Sequence, residues 1–156
     1  MEGRDTMKFN NLKEVITHLE KINKGNYYLD YIISEGTVSK EWYEAILKKI
    51  ERYKPKRVID IGSNANIFGY LFANKGIEYI GIDMEKTLTP ITTDDIKFIH
   101  SNYYDVRENF KNDIIISCLC VGYLIPIKDV LGEKLIINDI VDGNCIAKEI
   151  KLKEEL

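Results

Sequence analysis

The chain predicts a doubly wound α/β domain, a mostly parallel sheet with helices on both faces. Three observations point there. From Pro55 onward, short apolar runs alternate with helical or turn-rich stretches. One run, Asp113-Ile114-Ile115-Ile116-Ser117, is apolar almost throughout, as strands covered on both faces are. Two others, Arg57-Val58-Ile59-Asp60-Ile61 and Tyr79-Ile80-Gly81-Ile82-Asp83, carry an acid at or near the strand end.

Residues 1–6 show no pattern. In 11–23, Leu12, Val15, Ile16, Leu19 and Ile22 recur at helical spacing, which predicts an amphipathic helix ended by Gly25 and Asn26. Tyr27, Tyr28, Leu29, Tyr31, Ile32 and Ile33 form an aromatic-aliphatic segment expected to stop near Gly36. Ser39 is a suitable N-cap for a second helix through Trp42, Ile46, Leu47 and Ile50, closed by Pro55. The expected organisation is an N-terminal helix and lid-like aromatic segment over 1–38, followed by a ligand-binding unit over 39–156, within a single domain.

Strands are expected at 57–61, 78–82, 96–100, 113–118 and 134–140. A helix over about 67–75 joins the first two, with Gly76 as its C-cap. Shorter helical turns are expected near 105–110 and 128–131. Asp142-Gly143 is a favoured two-residue hairpin turn, so residues 144–152 are expected to return as an antiparallel edge strand. Lys148, Glu149 and Lys151 would discourage that edge from pairing with other chains. A terminal helix from Ala147 is the alternative.

The 156 residues and 18.1 kDa suit one domain. A net charge of −3 and a pI near 5.5 give no global basic field, so no nucleic-acid partner is expected. The basic residues from Lys48 to Arg57 are interleaved with Glu51 and apolar positions, the composition of a solvated helix face. No run approaches the roughly 18 apolar residues of a membrane span. Three cysteines without an apolar leader suggest reduced thiols and a cytoplasmic setting. Cys118 and Cys120 lack metal-ligand partners nearby, and no metal site is expected; His100 reads as a structural histidine.

Asp60-Ile61-Gly62-Ser63-Asn64-Ala65-Asn66 is the most informative stretch. A strand, a tight Gly/Asn turn and a helix in that order aim backbone N–H groups at one spot, the way α/β proteins cradle nucleotide-like ligands. Asp83 follows about twenty positions after Gly62, where a carboxylate can accept both hydroxyls of a ribose. The pair is more specific than either half.

Over roughly residues 40–140 the chain resembles the class I, Rossmann-like S-adenosyl-L-methionine-dependent methyltransferases. Asp60 to Asn66 is similar to that family's first-strand motif, an acid followed by a glycine-rich turn. The resemblance implies that Asp60, Gly62, Ser63, Asn64 and Asn66 surround the cofactor and that Asp83, with Met84 beside it, takes the ribose. Ser101-Asn102-Tyr103-Tyr104-Asp105 is similar to the family's adenine segment, implying Asn102 and Tyr103 there, and Ser117 would lie beside the methyl group. The family pattern has glycine where this chain has Asn66, an acid where it has Asn102, and more structure after the fifth strand. The last difference implies an abbreviated sheet or one completed in a homodimer. The acceptor would be a small molecule or a protein side chain, with Tyr123 and Asp139 as candidate acceptor contacts. No catalytic residue stands out, and methyl transfer to an already nucleophilic atom requires none. Tyr27, Tyr28 and Tyr31 read equally as a lid or as core. Two rivals stay open: a methyltransferase-like binding or partner subunit without turnover, and a nicotinamide-dependent enzyme, which the missing G-x-G-x-x-G spacing disfavours.

Overall fold

The computed structural model describes residues 7–122 and 124–152. Asn11 caps helix α1 (Leu12–Ile22) by accepting the Glu14 N–H at 2.9 Å, and Glu14 Oε1 accepts the Asn10 N–H in return. Helix α2 (Leu29–Glu51) is one continuous element of 23 residues. The expected break at Gly36 and the cap at Ser39 are both absent, and the 38/39 boundary falls inside the helix. The reason is phase. Ile32 and Tyr43 lie eleven residues apart, three helical turns, so Leu29, Ile32, Tyr43, Ile46 and Ile50 share one buried stripe. Packing along that stripe outweighs the ~1 kcal/mol cost of a mid-helix glycine.

The sheet then builds in the expected rhythm: β1 (Arg57–Ile61), α3 (Gly69–Ala73), β2 (Glu78–Asp83), β3 (Ile96–His100), α4 (Tyr103–Val106), β4 (Ile114–Ser117), β5 (Lys134–Val141) and β6 (Asn144–Lys151). Strand order is β3-β2-β1-β4-β5-β6, parallel through β5 and antiparallel at β6. This is a Rossmann-like doubly wound sheet whose order reverses between β1 and β4. Asp142 and Gly143 both take positive φ (51° and 79°) and turn the chain into β6, so the hairpin alternative is the one realised.

The two sheet faces are covered unequally. Val58, Tyr79, Ile116 and Ile136 pack under α1, α2 and α3. Ile59, Ile80, Ile115 and Leu135 face the other way, where α4, two 3₁₀ turns (Arg107–Phe110 and Ile127–Asp129) and Val130 make a thinner layer. Helix α3 is shorter than the expected 67–75, because the chain turns through Asn66 to Phe68 before the first helical bond forms. Gly76 (φ 77°) ends it, with the Ile77 N–H reaching back to Phe72 O at 3.0 Å. Among the described residues no helix is long and apolar enough to cross a membrane.

Candidate functional site

A cavity of about 510 Å³ opens at the carboxyl ends of β1, β2 and β3, beside the switch point. That lies within the ~300–1,000 Å³ usual for small-molecule sites. Its floor is the turn after β1. Gly62 takes φ 81° and donates its N–H to Ile82 O at 2.8 Å, while Asn64 takes φ 56°. The Asn64 N–H donates to Asp83 Oδ2 at 2.6 Å, and Glu85 N–H donates to Asp83 Oδ1 at 2.8 Å. The two halves of the sequence signal are thus one hydrogen-bonded unit: the acid at the end of β2 pins the turn after β1.

Gly62, Ser63, Asn64, Asp83, Met84, Asn102 and Tyr103 all line the cavity. Asn102 caps α4, its Oδ1 accepting the Tyr104 N–H at 3.0 Å, which leaves its amide N–H₂ to donate. Buried Ser63 Oγ and Asn64 Oδ1, like Asp60 Oδ1 and Asn66 Oδ1, have no hydrogen-bond partner among the described residues. An oxygen acceptor orphaned at a cavity wall is a vacant position for a donor.

Three of the expected residues are near but do not line the space. Ser117 is fully buried, its Oγ donating to Ile61 O at 3.2 Å and accepting the Val121 N–H at 2.9 Å. Asn66 (φ 61°) points its amide away from the cavity, donating to Ile91 O and Lys97 O, both at 3.1 Å. Its side chain therefore takes no room from a ligand. Asp60 faces the helical layer, entirely buried, and its Oδ2 accepts hydrogen bonds from Tyr43 Oη (2.8 Å) and Tyr79 Oη. Even residues of β1 point under α2 and α3, so the strand's alternation sends Asp60 into the core. Asp139 lies on β5, where its carbonyl accepts the Trp42 indole N–H at 3.1 Å, outside the cavity. Tyr123 lies outside the described residues. Tyr27 is 94% exposed and Tyr31 57%, with Tyr31 stacked on Tyr28; none of the three lines the cavity.

Burial pushes the Asp60 carboxyl up to about 7, against the opposing hydrogen bonds from Tyr79 and Tyr43. Tyr43 from α2, Tyr79 from β2, Cys118 after β4 and the Asp83 charge are the titratable groups around it. A folded-state value above the unfolded one stabilises the fold fully below about 4, and that contribution is lost as pH rises through about 7. Wild type should therefore lose about 2 kcal/mol relative to Asp60→Asn between pH 5 and pH 8. Urea unfolding at the two pH values checks it; parallel pH profiles would show that Asp60 is ionised throughout.

The wall beside Gly62 was not legible in the sequence, although Cys120 packs so close that a Cβ at Gly62 would come within 2.6 Å of its own Cβ. Ser39 and Tyr43 reach it from α2, and Cys118, Leu119, Cys120, Leu124 and Ile125 come from the segment after β4. Leu119 sits at φ 64°, with its N–H on Asn138 Oδ1 at 2.8 Å. A leucine in left-handed backbone is strained, and nothing in its sequence neighbourhood signals that. Burial raises the Cys118 thiol to about 12 and the Cys120 thiol to about 11. Among the described residues no group of three His, Cys, Asp or Glu side chains is placed to hold a metal.

No family model matches the chain, and no curated protein does. Among solved structures it is similar to two of WbdD, one titled a bifunctional kinase-methyltransferase and the other a crystal structure at 2.2 Å. Each aligns at 15% identity and a TM-score of 0.45, over 84% of this chain and 36% of that one. The chain thus spans little more than a third of those structures.

Proposed function

We propose that the protein binds S-adenosyl-L-methionine and transfers its methyl group to a small molecule or a protein side chain. The observation that carries this reading is the unit formed by Asp83 and the Gly62–Asn64 turn, set in one cavity with an unpartnered Asn64 Oδ1. The residues present fit the cofactor's parts. Asp83 uses two of its lone pairs on backbone N–H groups and keeps others for the ribose hydroxyls. Asn64 Oδ1 offers an acceptor to the ammonium of the methionine part. The free amide N–H₂ of Asn102 can donate to an adenine ring nitrogen, with Tyr103 and Met84 as apolar walls.

When bound, the cofactor supplies an activated methyl group on a sulfonium. The chain's contribution is then orientation and exclusion of water, which in ideal intramolecular cases is worth up to roughly 7–11 kcal/mol. Calorimetric titration with S-adenosylmethionine and S-adenosylhomocysteine is the test, with nicotinamide nucleotides as the control. Micromolar binding of the first two alone is expected. A folded protein that takes neither ligand sinks the reading, and one that binds without any turnover is the binding subunit instead.

A further inference from the structure

Resting on the ribose role proposed for Asp83, we propose that Asn23 and Asn26 are positioning residues of the binding site. From the corner between α1 and α2 they grip the loop after β2, and so hold the Asp83 carboxylate in its ligand-binding orientation. The N-terminal segment, expected over the cavity as a lid, works here as an anchor.

The need for such a grip follows from the loop itself. Residues 84–95 form neither helix nor strand, so no backbone ladder fixes them. Asp83 nonetheless depends on their first turn, because its Oδ1 accepts the Glu85 N–H while its Oδ2 accepts the Asn64 N–H. Each oxygen has one backbone donor, and a shift of Glu85 would free the carboxylate to rotate. Met84 is 57% exposed and gives this turn no apolar anchor, whereas buried Leu88 and Ile91 seat the later part of the loop in the core. Glu85 Oε2 accepts the Leu88 N–H at 3.0 Å and the Thr87 N–H, closing the turn on itself. What that closed turn is fastened to decides where Glu85 lies.

It is fastened to the α1–α2 corner. Asn26 Nδ2 donates to Thr87 O at 2.7 Å. Buried Asn23 grips both sides of Thr89, its Oδ1 accepting the N–H at 2.6 Å and its Nδ2 donating to the carbonyl at 3.0 Å. One side chain thus offers Thr89 the donor and acceptor that a paired strand would. Both asparagines are themselves fixed. The Asn23 N–H and Nδ2 donate to Leu19 O at the end of α1, at 2.9 and 3.1 Å, and Asn26 Oδ1 accepts the Tyr28 N–H at 2.9 Å before α2. A run of hydrogen bonds therefore leads from the helical corner through the loop to Asp83 and on to Asn64. Its two long-range links join residues 61 and 66 positions apart. The amide is the required group, because it carries an acceptor and a donor on one plane.

Asn26→Asp isolates the grip, since its carboxylate keeps the acceptor for the Tyr28 N–H and loses the donor to Thr87. Asn23→Ala is the second variant. Each is titrated calorimetrically with S-adenosylhomocysteine, alone and combined with Asp83→Ala, on the full chain. With Asp83 present, each is expected to lower affinity about 2–10-fold, the worth of one hydrogen bond. With Asp83 removed, the further loss should stay under about 2-fold, whereas a residue acting on stability alone gives the same loss in both backgrounds. Amide hydrogen exchange supplies a readout without ligand: the Glu85 N–H should exchange at least about 5-fold faster in both variants, with Ile59 and Ile115 unchanged. Equal losses in the two backgrounds overturn the assignment, as do unchanged affinities or a Glu85 N–H that exchanges no faster. Wild type that binds no S-adenosylhomocysteine removes the underlying reading along with it.

Discussion

Gly81→Ala is expected to destabilise the domain by about 2–6 kcal/mol, although it adds a single methyl group to a strand. Gly81 pairs with Asp60 in the β1–β2 ladder and lies beneath the turn that follows β1. A Cβ there would overlap Asn66 Oδ1 and Ser63 Oγ and come within 2.6 Å of Ser63 Cβ. Asn66 cannot simply swing away, because its amide is pinned to the Ile91 and Lys97 carbonyls. Overpacking a tight core costs ~1–3 kcal/mol, and each of the two buried hydrogen bonds at risk adds ~0.5–1.5 kcal/mol. Urea unfolding measures the loss. A change below ~1 kcal/mol would mean that the turn yields freely and that Asn66 does not lock it. The same substitution displaces Ser63 and Asn64, so ligand affinity should fall in parallel with stability.

Asp83→Ala should weaken S-adenosylhomocysteine binding by about 10–150-fold, the equivalent of ~1.5–3 kcal/mol for hydrogen bonds to a charged group. The loss has two sources. The carboxylate no longer meets the ribose, and the Asn64 and Glu85 N–H groups that it holds are released. Asp83→Asn separates them: its carbonyl oxygen can keep one backbone bond while the charge is gone, so an intermediate affinity is expected. Calorimetric titration of both variants, with circular dichroism to establish that each is folded, gives the answer. Equal affinity in wild type and Asp83→Ala would remove Asp83 from the binding site.

Much of this molecule was legible in the chain because the signals involved are local. Apolar runs marked every strand of the sheet to within about two residues at each end, the usual tolerance of element boundaries. Asp142-Gly143 specified the hairpin because both positions need positive φ. The Gly62–Asn64 turn and Asp83 were recognisable because their spacing reflects one strand–turn–helix–strand unit, and the structure joins them by a hydrogen bond.

What the tertiary structure decided depends on direction and on partners distant in sequence. Strand alternation sent Asp60 toward Tyr43 and Tyr79 and away from the cavity, a choice set by which face of β1 meets α2. Asn66 found its partners in Ile91 and Lys97, 25 and 31 residues downstream, so no local rule could say that its side chain leaves the cavity clear. Helix α2 ran through Gly36 because a stripe three turns long had one core to bury in. One wall of the cavity came from Leu119 in strained backbone, held by Asn138 on a neighbouring strand. The sequence alone determined the sheet, its turns and the acid that lines the cavity, because each is encoded within a few residues. Only the fold decided which side chains reach the cavity, because that follows from which faces pack together once the strands are assembled.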